Sequence, residues 1–211
     1  MTEKLKGIAG SMAAGKTGRL IEIAKRAEFA HKKVLAFKPS IDTRWNMPNF
    51  LVSREKNGDI NKTYPAHSVD SAIEIISLVL DKIESDGKLD YVIIDEVQLF
   101  DESVIEVVKY LIEADIKVIF GGLTTDFRGE PFGSMPTLLA ISDEIERLTA
   151  ICNYEDEEGA CCGAEATRTQ REVNGKPANY YDPIIVIGDI DYKARCPNHH
   201  VVPDKPKPKI K

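Results

Sequence analysis

The chain has 211 residues, enough for one sizeable domain with a small appendage. Hydrophobic residues make up 43% and charged residues 29%, an ordinary globular balance, and no apolar run approaches the roughly 20 residues that span a bilayer. A formal net charge of -6 speaks against a general nucleic-acid binder, which carries a basic face.

The first residues, MTEKLKGIAG, lack the apolar centre of a signal peptide and run straight into a motif, so a cytoplasmic protein is expected. Leu5 to Ala9 form a short strand candidate entering the loop GSMAAGKT. From Lys16 to Ala30, the residues Leu20, Ile21, Ile23, Ala24 and Ala27 recur at near-helical spacing and predict a helix. Val34 to Phe37 is a second strand. The polar stretch Lys38 to Asp59 holds Pro39, Pro48 and Trp45; it is too long for a plain connection and is expected to border a site.

Ser68 to Ile83 predicts a helix with the stripe Ala72, Ile73, Ile75, Ile76, Val79 and Leu80, and either Ser68 or Ser71 can cap it. Tyr91 to Ile94 is a continuous apolar strand, Asp101 to Ala114 a helix, and Ile116 to Phe120 another buried strand. Strands alternating with helices imply βαβ units: an α/β fold with a mainly parallel sheet flanked by helices. Right-handed crossovers put the strand ends, and with them the site, along one edge.

The helical pattern stops near residue 150. Short β-like runs, Ala166 to Val173 and Ile184 to Ile187, lie among the cysteines and predict a small β-rich lobe closed by a metal. The expected organisation is a nucleotide-binding domain over residues 1–150, a small metal-bound lobe over 151–202, and a disordered tail over 203–211, PDKPKPKIK, which has little to bury.

The loop Gly10, Ser11, Met12, Ala13, Ala14, Gly15, Lys16, Thr17 matches G-x-x-x-x-G-K-[ST] in full. Its glycines let backbone N–H groups curl around phosphate oxygens, and the following helix presents its electropositive end. Lys16 reaches the β- and γ-phosphates, and Thr17 offers a hydroxyl to Mg²⁺. Downstream, Tyr91 to Ile94 ends in Asp95 and Glu96. Successive strand residues point to opposite faces, and so do these two carboxylates at its end. Asp95 can then face the phosphate loop and Mg²⁺, while Glu96 can take the proton of an acceptor hydroxyl.

The four cysteines, Cys152, Cys161, Cys162 and Cys196, all lie in the last third of the chain, a clustering that points to metal binding more than to disulfides in a reducing compartment. Cys196-Pro197-Asn198-His199 has ligand spacing. Three thiolates and one imidazole suit tetrahedral Zn²⁺ and leave no open position, so such a site is structural. The chemistry alone does not choose between Cys161 and Cys162, and His200 is a rival to His199.

These motifs, in this order, resemble the thymidine kinases shared by bacteria, large DNA viruses and animal cytosol. The resemblance runs from Gly7 to about Pro203 through GSMAAGKT, KPSIDTRW at Lys38 to Trp45, and DEVQLF at Asp95 to Phe100. It continues through GLTTDFRGEPFG at Gly122 to Gly133, LTAIC at Leu148 to Cys152, CGAEATRTQR at Cys162 to Arg171, VIGDIDYKARC at Val186 to Cys196, and His199–His200. It implies a phosphate-loop NTPase-type sheet, a zinc-bound lobe with a lasso-like lid, and phosphorylation of thymidine, with deoxyuridine as a further substrate. ATP with Mg²⁺ is the implied donor.

By the same resemblance Glu96 is the general base, and Asp42, Asp95 and Gln98 join the nucleotide and Mg²⁺ environment. Met12, Leu99, Leu123, Phe127 and Phe132 line the thymidine pocket, Leu99 standing where many members have an aromatic residue. Ile184, Ile185, Val186, Ile187 and Gly188, with Tyr192, close over the base. Alignment on Cys-Gly selects Cys152, Cys162, Cys196 and His199 for zinc. The resemblance also implies feedback by thymidine triphosphate and a homotetramer or dimer, with neither nucleic acid nor membrane as partner. Other readings are a kinase of another nucleoside, a regulatory phosphate-loop ATPase or GTPase, and a zinc-dependent nucleic-acid binder. The guanine motif N-K-x-D is missing: the one Asn-Lys pair, Asn61-Lys62, is followed by Thr-Tyr.

Overall fold

The computed structural model describes residues 3–43, 47–54, 59–186 and 191–207. Its elements in chain order are β1 (Leu5–Gly10), α1 (Lys16–Phe29), β2 (Val34–Pro39), β3 (Phe50–Arg54), β4 (Ile60–Pro65), β5 (His67–Val69), α2 (Ile73–Asp86) and β6 (Tyr91–Ile94). Then come α3 (Ser103–Glu113), β7 (Lys117–Gly122), α4 (Met135–Ala140), β8 (Glu144–Leu148), β9 (Ala150–Ile151), β10 (Glu165–Ala166), β11 (Arg168–Val173), β12 (Lys176–Pro177) and β13 (Asp191–Arg195).

Six strands form one parallel sheet in the order β5-β2-β6-β7-β1-β8. Both faces are covered, and strand alternation divides the apolar side chains between them. Leu5, Ala9, Phe37, Val92, Ile94, Val118 and Phe120 pack with α2, α3 and α4. Ile8, Ala36, Ile93 and Ile119 pack with Leu20, Ile21 and Ala24 of α1, and with Leu51 and Tyr64. The predicted α/β fold is therefore the observed one, with the phosphate loop joining β1, next to the edge strand β8, to α1.

The long polar segment contains an element its composition hides. β3 and β4 pair as an antiparallel hairpin, and its buried Leu51 and Tyr64 cover α1. The helix expected from Ser68 starts later, because His67–Val69 pairs with β2 as an edge strand. Ala72 is the N-cap of this helix, and Ser71 stands just before it: the Ser71 Oγ accepts the Ile73 N–H, and the Ser71 N–H donates to Glu74. β8 also went unread. It is an edge strand whose Glu144 and Glu146 bind Lys6, with Glu146 also holding Arg19, so its composition is charged rather than apolar.

The chain beyond β8 forms small antiparallel pairs, β9 with β10 and a three-stranded β12-β11-β13 unit. The run Ile184 to Val186, expected as β-like, is not a strand, and Ile187 lies outside the described residues. The start of the expected tail is engaged: Pro203 O accepts the Tyr180 N–H, and Lys205 binds Arg128 O and Glu130. Residues 208–211 lie outside the described residues.

Candidate active site

Gly15 sits immediately before α1 with φ 85°, a left-handed conformation that glycine adopts without Cβ strain. No side chain caps the helix among the described residues, so its first N–H groups face the loop. The Lys16 ammonium is buried and folds back to donate to Ser11 O at 2.8 Å. Thr17 Oγ1 donates to Asp95 Oδ2 at 2.7 Å, joining the phosphate loop to the end of β6. Thr17 and Asp95 share a small cleft with Lys38, Asp42 and the start of β3, so the long polar segment does border the loop. Asp42 is buried there, and its carbonyl accepts from Lys38 Nζ at 3.2 Å.

Glu96 does not continue the strand. Its φ of 49° and ψ of 42° place a non-glycine residue in the left-handed region, and the chain turns into a short 3-10 turn over Val97–Leu99. The direction of the Glu96 carboxylate is therefore set by a turned backbone and not by strand alternation. A conformation of this kind costs on the order of 1–3 kcal/mol and persists only where its surroundings impose it. Here Gln98 imposes it. Its Nε2 donates to Glu96 Oε2 at 2.5 Å, and its Oε1 accepts the Leu123 N–H at 3.0 Å. Gly133, at φ 50°, lies so close to the Gln98 carbonyl that a Cβ there would overlap it.

Asp95 is enclosed on all sides. Burial, and next the charge of Glu96, push its carboxyl up to about 6, against the Thr17 hydroxyl, the Glu96 N–H and the Lys16 charge. The sign follows: the unfolded chain releases this proton near its ordinary value, while the fold holds it until about pH 6. Stability of the magnesium-free protein therefore falls as pH rises through that window and stays lowered above it. Asp95→Asn is expected to raise the melting temperature at pH 8, corresponding to on the order of 2 kcal/mol, with little gain at pH 4. Scanning calorimetry in magnesium-free buffer without chelator checks this. An equal effect at both pH values would contradict it.

A second cluster lies in the β-rich lobe. Cys152, Cys162, Cys196 and His199 offer ligand atoms that all lie within 4.8 Å of one another. Cys162 and Cys196 sulfurs are 4.0 Å apart, and His199 Nδ1 lies 3.5 Å from Cys196 and 3.7 Å from Cys152. A tetrahedron built on the usual zinc–sulfur bond has edges of about 3.8 Å, so this donor set fits a zinc ion. Burial opposes the Cys152 thiolate, but backbone hydrogen bonds from Cys196 and Tyr154, then His199 and Cys162, bring the thiol down to about 6. Cys161 is outside the cluster; it is exposed, with its thiol donating to Cys152 O. His200 is outside as well, with Nε2 donating to Phe127 O at 2.8 Å. Tyr154, between Cys152 and Cys161, stacks on the His199 ring at 4.0 Å.

The family model for thymidine kinase matches residues 3–200. The chain belongs to the thymidine kinase family. Curated relatives named thymidine kinase include one from onion yellows phytoplasma, 39% identical over all of this chain and 95% of its own length. Another is from aster yellows witches'-broom phytoplasma, at the same identity and coverage. A third, from Mycoplasmoides gallisepticum, is 42% identical over 96% of this chain and 83% of its own length.

The residues that thymidine kinase resemblance implies for the base pocket come together around Gln98 and β11. Leu99 follows Gln98, Leu123 is bonded to it, and Phe132 precedes the glycine packed on its carbonyl. Leu123 and Phe127 are buried, while Met12, Leu99 and Phe132 are half-buried. Ile184, Ile185 and Val186 are exposed, and the Tyr192 hydroxyl donates to Val186 O at 3.4 Å. Ile187, Gly188 and Trp45 lie outside the described residues.

Sequence reasoning missed Thr169. Its buried hydroxyl accepts the Met12 N–H at 3.0 Å, and nearby Ser11 Oγ donates to Ala166 O at 2.8 Å. These bonds fasten the phosphate loop to the β-rich lobe. The partners are 157 and 155 residues apart, so no local pattern marks them.

Proposed function

We propose that this chain transfers the γ-phosphoryl group of ATP to the 5′-hydroxyl of thymidine, in nucleotide salvage. The observation that carries this reading is the joint between loop and base: Asp95 accepts from Thr17 and from the N–H of Glu96, and the Glu96 carboxylate is held by Gln98. Family membership supplies the acceptor.

Lys16 draws charge from the transferring group, and the loop N–H groups hold the phosphates. Thr17 and Asp95, with Asp42 nearby, form the oxygen donor set for Mg²⁺, which when bound neutralises phosphate charge. Glu96 takes the proton of the attacking hydroxyl. Gln98 thus acts by holding Glu96 rather than as part of the Mg²⁺ environment. Met12, Leu99, Leu123, Phe127 and Phe132 form apolar walls for a pyrimidine, and Ile184, Ile185 and Val186, with Tyr192, cover it. Zinc held by Cys152, Cys162, Cys196 and His199 fastens the lobe, residues 151–202, that carries this cover. A homotetramer or dimer, inhibited by thymidine triphosphate, completes the reading.

Purified protein with Mg-ATP and single nucleosides tests it. Thymidine is expected to be phosphorylated most efficiently and deoxyuridine less so, because the walls gain about 1–3 kcal/mol from the extra methyl group. Preference for a purine nucleoside, or ATP turnover independent of any nucleoside, would overturn it.

A further inference from the structure

Arg171, in β11, is among the most deeply buried side chains of the molecule. Its nearest carboxylate, Asp182, lies 3.6 Å from Nη2 and is itself partly exposed. Its Nη1 donates to the Pro183 carbonyl, while Nε is buried without a hydrogen-bond partner among the described residues. An arginine so placed is costly as a purely structural filler, since desolvation of the charge is incompletely compensated. What compensates it is a ring: the guanidinium carbon sits 3.8 Å from the centroid of Phe127.

The same residue meets both ends of the excursion between β12 and β13. Its side chain holds Asp182 and Pro183, where the chain leaves. Its main chain stands in register with Tyr192, where the chain returns. Phe127 is itself buried, its carbonyl accepts from His200, and the guanidinium is stacked on its ring. The guanidinium plane therefore bears on the orientation of the ring.

We infer that Arg171 is a positioning residue for the nucleoside: it sets the plane of Phe127 against residues 183–186 and so fixes the pocket's width. This rests on the proposed reading that Phe127 is a wall of the thymidine pocket. Lysine at 171 keeps the charge but cannot stack a plane on the ring while also reaching Pro183.

The test is a steady-state comparison of Arg171→Lys, Phe127→Leu and the double variant. Arg171→Lys is expected to raise KM for thymidine about tenfold, with KM for ATP and kcat within about twofold. The double variant should be little worse than Phe127→Leu alone, because both changes remove one contact. If Phe127→Leu raises KM for thymidine and Arg171→Lys does not, the role of Arg171 is refuted and the wall stands. If Phe127→Leu leaves KM for thymidine unchanged, the wall itself is wrong. Should Arg171→Lys not fold, hydrogen exchange of Phe127→Leu decides: faster exchange over residues 182–186 supports the link, and unchanged exchange there refutes it.

Discussion

Replacing Glu96 with glutamine is expected to lower kcat by about 10² to 10⁴, with KM for ATP close to that of the unaltered protein. The magnitude is that of a positioned general base, and three features make the substitution a clean probe. Glutamine has the shape of glutamate, so the buried space around residue 96 is kept. The left-handed backbone there depends on the Gln98 bridge to Leu123, and a glutamine oxygen can accept from Gln98 Nε2 as the carboxylate does. The Asp95 to Thr17 bond belongs to the other side of the joint and stays intact. What is lost is the capacity to accept a proton, together with the charge that helps push up the Asp95 carboxyl. Single-turnover measurement with saturating Mg-ATP and thymidine reads the chemical step, and wild-type turnover would move the base elsewhere. Gln98→Ala should fall between the two, because it leaves the base present but unheld.

The parts of this site that could be read from the chain are those with local signals. The interior strands β6 and β7 are covered on both faces, so they appear as unbroken apolar runs. The edges are different. Glu144 and Glu146 of β8 are matched by Lys6 and Arg19, and the β3–β4 hairpin buries only a few apolar side chains within a polar stretch. A composition-based reading passes over both. Glu96 was found as a residue but not as a conformation, since strand alternation presumes an extended backbone and Gln98 enforces a turned one. Thr169 and Arg171 left no trace, because their partners are the phosphate loop, Phe127 and Pro183. The contacts with the loop and with Phe127 exist only once two lobes are brought together, and Pro183 is reached across a loop within one lobe.

The cysteine cluster closes the β-rich lobe, and its loss is expected to have the largest effect on stability. Cys162→Ser removes a sulfur that lies 4.0 Å from Cys196. Bound zinc should drop from one equivalent to a small fraction, and stability should fall by on the order of 3 kcal/mol, about 6–12 °C in Tm. Cys161→Ser is the control in the adjacent position. That thiol is exposed and outside the cluster, so zinc content and Tm should stay within about 1 °C of the starting protein. Metal analysis by mass spectrometry beside calorimetry separates the two, and equal zinc loss in both variants would show that the thiols exchange roles. The damage should also reach catalysis. Cys162 and Ala14 pack on one small core, while Ser11 and Met12 are bonded to Ala166 and Thr169 of the same lobe. Loosening that lobe slackens the phosphate loop, so Cys162→Ser should raise KM for ATP although no cysteine touches the nucleotide. A variant that lost zinc yet kept its KM for ATP would mean that the loop holds its shape without the lobe.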